Sequence, residues 1–294
     1  MDYVSDPYEV KISFLQHSTN PSRIFSSMSE LIQTFEHLDK DLLNAFGVRI
    51  ETTLLLEEVQ TSSLKTILRA AITSIDDEAL RDGDWKKAVG RFLLQGKYKI
   101  LEFLADKKEI TDRQQILALE DELNRLAEKT DIKRIPSYTP IPTRVLLYNI
   151  GHLTKALGYL QPEDKSFYII DQHQVRLNQD FLFNQESVED LLTKETRITK
   201  EDTTVHVKKP DYLGSSMWDI KFRGHVVAAK IEDHVWLERF QNRLEDVRPG
   251  DGLFVTLEIQ VMYGFQNEEV ATHFRVTKVH SIVPQAPYSK QLDL

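Results

Sequence analysis

Strict alternation is the feature that most limits what this chain can become. Trp218, Ile220 and Phe222 are interleaved with Asp219, Lys221 and Arg223, and further on Leu253, Val255, Leu257, Ile259 and Val261 occupy every second position. Side chains on a strand point to opposite faces in turn, so such a pattern specifies a sheet with one apolar and one solvated face. Arg223-Gly224 provides a turn into a second strand through Val227, Ala229 and Ile231. Asp233 can cap a short helix bearing Trp236, Leu237, Phe240 and Leu244, and Arg248-Pro249-Gly250-Asp251 starts the next strand. The last strand, His273–Val283, loses its alternation around Thr277-Lys278, which predicts a bulge or bend. Strands of this length around one short helix suit a small barrel, which leaves no long open edge.

Upstream the periodicity changes. Tyr8–Leu15 alternates as a short strand, and Ile24, Phe25, Met28, Leu31, Ile32, Phe35, Leu38 and Leu42 repeat at helical spacing from Pro21-Ser22 toward Gly47, a natural stop. Val48–Val59 reads as a strand, and Thr61-Ser62-Ser63 caps an expected helix through Leu64, Ile67, Leu68 and Ala71. Helices follow over Asp84–Leu104, where Gly90 and Gly96 weaken the case for one unbroken segment, and over Asp112–Thr130, with Ile116, Leu119, Leu123 and Leu126 as its stripe. A loop containing Pro136, Pro140 and Pro142 precedes a helix over Thr143–Leu160. A hairpin from Phe167–Ile170 and Val175–Leu177 and a short helix near Glu186–Leu192 complete the first part. Thr193–Thr204, polar and charged, reads as a linker.

The expected class is therefore α+β or α/β: an N-terminal mixed sheet with several long helices over residues 1–192, a linker over 193–204, and a β-barrel-like module with one short helix over 205–294. A chain of 294 residues accommodates two modules, since domains typically run to about 100–150 residues. Hydrophobic content of 41% with 28% charged residues supports packed cores rather than disorder.

The resemblance that these pieces carry is to a group of uncharacterised bacterial two-module proteins. Their first module opens strand, long helix, strand and a "GS" turn, matched here by Thr61-Ser62-Ser63-Leu64 with Ser62 at the usual glycine. Their second carries motifs matched by Trp218-Asp219-Ile220, by Ala229-Lys230-Ile231-Glu232-Asp233 with Trp236-Leu237, and by Val247-Arg248-Pro249-Gly250-Asp251-Gly252-Leu253. The resemblance implies no established activity. It implies a component of bacterial multi-gene loci, phage-defence loci among them.

Several chemistries are excluded or weakened. The chain has no cysteine, so disulfides, thiol nucleophiles and thiolate metal sites are out, in keeping with a reducing cytoplasm. It has no signal-peptide pattern at its start and no long apolar run, which predicts a cytoplasmic protein without a membrane. Phosphate-binding glycine loops and a nucleophile elbow are missing. Net charge is −9, with 11 Lys/Arg against 12 Asp/Glu in residues 203–294 and 26 against 34 before them. Extensive nucleic-acid binding, which needs a basic surface, is disfavoured.

Three functional readings remain. The first is a non-enzymatic interaction, sensor or accessory subunit that meets a protein partner or its own copies through apolar helix faces, with no catalytic residues, no cofactor and no metal. The second is a metal-dependent nuclease in which Asp211 and Asp219 hold Mg²⁺ or Mn²⁺ and Lys221 assists the water; Pro210-Asp211 followed by Asp219-Ile220-Lys221 has that spacing, but a solvated strand face produces it often. The third is nucleic-acid or nucleotide binding by the barrel through Lys208, Lys209, Lys221, Arg223 and Lys230. His206, His225, His234, His273 and His280 lack the spacing of a metal site, and Trp218, Phe222, Trp236 and Phe240 sit on apolar periodicities that predict core packing.

Overall fold

A computed structural model describes residues 2–3, 5–15, 20–46, 50–60, 63–75, 85–130, 139–248 and 250–284. Gly47, Thr61, Ser62, Pro136 and Pro249, to which turns, caps and loops are assigned above, lie outside the described residues. The chain divides into two compact units, Met1–Leu191 and Leu192–Leu294.

The first unit is a helix-covered antiparallel sheet. Its strands are β1 (Asp2–Tyr3), β2 (Tyr8–Ser13), β3 (Ile50–Gln60), β4 (Leu64–Ile75), β5 (Lys165–Ile170) and β6 (His173–Arg176). Along one edge β4 pairs with β3, along the other with β1 and then β2, and β5 and β6 continue outward from β2. The helix expected over Leu64–Ala71 is thus a central strand. Leu64, Ile67, Leu68 and Ala71 fit a helical stripe, but Thr66, Leu68 and Ala70 are the residues buried in alternation, and pairing on both edges outweighs the local pattern. A hairpin replaces the expected strand–helix step, so each pairing in this sheet is antiparallel.

Four long helices accompany the sheet: α1 (Ser22–Asn44), α2 (Trp85–Leu104), α3 (Arg113–Lys129) and α4 (Thr143–Leu157). The α1 stripe buries Ile24, Met28, Leu31, Phe35, Leu38 and Leu42, and Phe35 meets Tyr8 and Tyr168 of the sheet at 6.2 and 5.5 Å between ring centres. Despite Gly90 and Gly96, α2 is unbroken. Gly96 faces the Leu42 methyls, which an added Cβ would meet at 3.4 Å, an ordinary contact distance. Asp112 caps α3, accepting from the Gln114 amide at 2.9 Å. A short helix, α5 (Gln185–Leu192), ends where the second unit begins.

The second unit is a closed barrel of β7 (Thr193–Lys209), β8 (Trp218–Phe222), β9 (His225–Ile231), β10 (Gly252–Gly264) and β11 (Glu269–Val283), with α6 (His234–Gln241) between β9 and β10. Going round the barrel the order is β7-β8-β9-β11-β10 and back to β7, with β9–β11 as its parallel pair. This connectivity is that of an OB-type Greek-key barrel. The expected linker over Thr193–Thr204 is corrected: it is the first part of β7, paired with β10 from Gly264 back to Phe254. Its polar composition reflects exposure, because most side chains from Lys194 to Lys200 face solvent and the strand begins lining the core only at Val205.

Trp218, Ile220 and Phe222 of β8 pack inward with Val205, Val207, Leu253, Val255 and Leu257, and Trp236 and Phe240 of α6 join them. The Arg223-Gly224 turn has positive φ at both residues, 47° and 88°, the geometry that tight hairpins favour. The break expected near Thr277-Lys278 is present, as β11 shifts register against β10 at Thr277 and again at His280. Asp233 caps α6 through the Trp236 amide and also accepts from the Val279 amide, tying the helix to β11. Burial pushes this carboxyl upward, but those two bonds and Lys278 prevail and its pKa lies below the ordinary value.

Candidate functional site: the 210–217 loop of the barrel

Eight residues, Pro210 to Met217, connect β7 to β8. Asp211 organises them. Its Oδ1 accepts from the amides of Leu213 and Gly214, both at 3.0 Å, and its Oδ2 accepts from the Ser216 amide at 2.9 Å and the Ser216 hydroxyl at 2.6 Å. A carboxylate that accepts several hydrogen bonds is favoured in its charged form. The Ser216 hydroxyl, followed by the amides of the same loop, therefore holds Asp211 far below the usual carboxylate range. Gly214 is required by this packing, since a Cβ there would stand 2.9 Å from Oδ2. Gln241 of α6 donates to the Gly214 carbonyl at 2.7 Å, fastening the loop to the helix.

What the loop presents is apolar. Leu213 is 96% exposed, Tyr212 54% and Met217 53%. Tyr212 stacks on Phe240 at 5.3 Å, Phe240 stacks on Trp236 at 5.6 Å, and Trp218 meets Phe240 at 4.9 Å, so aromatic packing runs from the barrel core to the surface. Beside this column is a hollow of about 580 Å³, bounded by Tyr212 and Leu213 on the loop, by Phe240 and Gln241, and by the segment from Arg243 to Val247. Around it Glu245 pairs with Arg239 and Asp246 with Arg248, each at 2.8 or 2.7 Å, while Arg243 has no ion-pair partner among the described residues.

This geometry changes the meaning of the nuclease pattern. Asp211 spends both oxygens within its own loop, so a metal would have to displace bonds that shape eight residues. Asp219 and Lys221 do lie on the outward face of β8, as alternation predicts: Asp219 is opposite Lys209 and Ala228, and Lys221 is opposite His206 and Val226. Among the described residues no three His, Cys, Asp or Glu side chains are grouped to hold a metal ion. His280 instead contacts the Thr256 hydroxyl at 2.8 Å and lies 3.5 Å from Asp202.

The basic candidates are only partly together. Lys209 and Lys221 flank Asp219 on the outward face, Lys208 occupies the register shift beside Lys209, and Lys230 is opposite Arg275 on β11. Arg223 is bound to Glu201 through both carboxylate oxygens at 2.8 and 3.1 Å. Trp218, Phe222, Trp236 and Phe240 are all buried.

A second group of perturbed residues lies in the first unit. Lys97 of α2 and Asp39 of α1 form a fully buried ion pair, and the Lys97 ammonium stands 4.6 Å over the Tyr8 ring. Burial raises Asp39 and lowers Lys97, each opposed by its partner's charge, and raises Tyr8 and Tyr168. Complete burial keeps these groups from substrate, so their role is packing.

The loop does not stand out in the sequence, because PDYLGSSM has ordinary turn composition. One signal was available: an aspartate followed at two, three and five residues by positions able to donate is the pattern of a side-chain-organised turn. Compared with known proteins, the chain matches no family model, no curated relative and no solved structure. No helix among the described residues is long and apolar enough to cross a membrane.

Proposed function

We propose that this protein is a non-enzymatic binding subunit, acting by protein–protein contact, with the 210–217 loop and the adjoining hollow as its docking element. The observation that carries this reading is Leu213, an aliphatic side chain left 96% exposed on a loop held by four hydrogen bonds to one carboxylate. Solvent gives no reason to fix an apolar tip in place. A partner does, because a preorganised contact loses less conformational freedom on binding. Tyr212, Met217 and the hollow supply the apolar surround, and Arg243 with the two ion pairs supplies a polar rim, the usual anatomy of an interface centre. The resemblance adds a context to this proposal: a cytoplasmic accessory or sensor component of a bacterial multi-gene assembly, of the phage-defence kind.

Purification at native expression from the source cell tests the reading. The expected result is a partner co-purifying in fixed ratio, lost by at least tenfold in Leu213→Asp while the circular dichroism of the variant is unchanged. A partner retained by Leu213→Asp, or a chain that purifies with none, overturns it.

A second reading, binding of a polyanion such as single-stranded nucleic acid, has one observation in its favour. Lys208, Lys209, Lys221 and Lys230 have no ion-pair partner among the described residues, and Lys221 and Lys230 lie on β8 and β9, the second and third strands that such barrels use for ligands. It ranks second because Asp219 sits between Lys209 and Lys221, and the outward positions of β8 and β9 offer no aromatic side chain for base stacking. Oligonucleotide affinity that falls steeply with salt, and falls further in Lys221→Glu, would reverse the ranking.

A further inference from the structure

The sheet of the first unit ends on one side in β3, whose outer edge pairs with no strand among the described residues. An unpaired edge is a template for another strand, and proteins usually blunt it with charge, with shortness or with a covering element. The other edges here follow that rule. β6 is 4 residues long, and β7, beyond its pairing with β8, carries Lys194, Glu195, Arg197, Lys200, Glu201 and Asp202. β3 does not: from Thr52 to Leu56 it has no charge, and Leu54-Leu55-Leu56 is its centre.

Its side chains are arranged accordingly. Leu54 is opposite Ala70 and Leu56 opposite Leu68, and Ala70 and Leu68 are buried on the face of the sheet that carries the core. Yet Leu56 is 58% exposed and Val59 48%, so an apolar strip runs along the edge with its outer side open.

We propose that β3 is where two copies of this chain meet, strand against strand, antiparallel about a two-fold axis through Leu55. A two-fold axis perpendicular to the sheet keeps the same face up in both copies, so each residue must be opposite one of the same pleat. Centred on Leu55, Leu54 of each copy comes opposite Leu56 of the other, and the exposed apolar strip is covered twice over. Neighbouring registers are worse. An axis at Leu54 sets Leu55 and Leu56 against Thr53 and Thr52, and an axis at Leu56 sets Leu54 and Leu55 against the acidic segment beyond the register shift. The shift in β3–β4 register between Leu56 and Glu58 limits regular pairing on that side, which confines the contact to the leucine centre.

This proposal shares with the loop reading only the premise that the chain works by protein contact. Its surface belongs to the other unit, so the two are tested separately. The absence of cysteine gives a direct probe. In Leu55→Cys the two thiols would face each other across the axis, where antiparallel pairing sets Cα atoms about 4.5–5.5 Å apart, inside the range of about 4.4–6.8 Å that a disulfide spans. Thr53→Cys would be opposite Glu57 and about four residues, on the order of 13 Å along the strand, from its counterpart. The expected result with full-length protein under mild oxidation is a covalent dimer from Leu55→Cys and none from Thr53→Cys. Sedimentation equilibrium of the unaltered chain should show a dimer, and Leu56→Lys should raise its dissociation constant at least tenfold with an unchanged circular dichroism spectrum. Equal cross-linking at 53 and 55, or no cross-link at 55, overturns the proposal, the latter including the case in which another protein's strand occupies the edge. A monomeric wild type at about 100 μM, far above the micromolar constants of ordinary associations, also overturns it.

Discussion

Asp211 shows how one side chain can shape a surface without taking part in chemistry. Its four acceptor bonds close the loop, and its exposure leaves the loop tip to solvent. Because the folded-state pKa is lowered, the sign is fixed: the bonds are fully present above the unfolded value of about 3.9, and weaken as pH falls below it toward the folded value. Partner binding through Leu213 should therefore be flat from pH 8 down to about pH 4, with respect to this group, and Asp211→Asn should already show at pH 7 the loss that the native loop shows only in stronger acid. Asparagine keeps the size but offers one oxygen where two are used. The expected outcome is increased amide hydrogen exchange at Leu213, Gly214 and Ser216, with the barrel's melting temperature nearly unchanged. Protection at those three amides equal to the native protein would show that the carboxylate does not hold the loop.

Between elements, the Lys97–Asp39 pair fixes how α2 meets α1. It lies beside the contact between Gly96 and Leu42. A buried charge left alone costs about 3–5 kcal/mol, whereas replacing both partners by apolar groups is often neutral. Urea unfolding of Asp39→Ala should thus show a loss of that size, and Asp39→Leu combined with Lys97→Met should recover most of it; additive losses would mean that the two do not act as a pair. None of this was legible beforehand, since Asp39 and Lys97 look like ordinary solvated helix charges until the tertiary contact is known. Elements with a dominant period were legible: α1, α3, α4, β8 and the outward placement of Asp219 and Lys221 all follow from spacing alone. Where a pattern served two periods, as in Leu64–Ala71, local order gave the wrong answer because sheet pairing decided it. Polarity misled at Thr193–Thr204, where exposure on both faces removes the alternation that marks a strand. The candidate loop stayed hidden for a related reason, as its signal lies in hydrogen bonds from one aspartate rather than in any hydrophobic repeat.

For the molecule as a whole, the position of the boundary has mechanical consequences. The second unit starts at Leu192, and β7 starts at the next residue, so no free linker separates helix α5 from the barrel. A fragment that begins at residue 205, where the core-facing valines begin, would keep all the residues that look like a barrel in sequence. It would still fail, because the strand of β7 that pairs with β10 from Phe254 to Gly264 would be missing. Removing it uncovers one edge of β10, including Leu257, Ile259 and Val261, and an apolar exposed edge invites aggregation. A fragment of residues 192–294 keeps that strand and the closed barrel, together with the complete 210–217 loop. The expected contrast is a soluble, cooperatively melting 192–294 fragment that retains Leu213-dependent partner binding, against a 205–294 fragment that aggregates or melts without cooperativity. Light scattering and thermal circular dichroism distinguish these outcomes. If the shorter fragment were equally cooperative, the first half of β7 would be an appendage to the barrel, and the boundary would belong thirteen residues further along the chain.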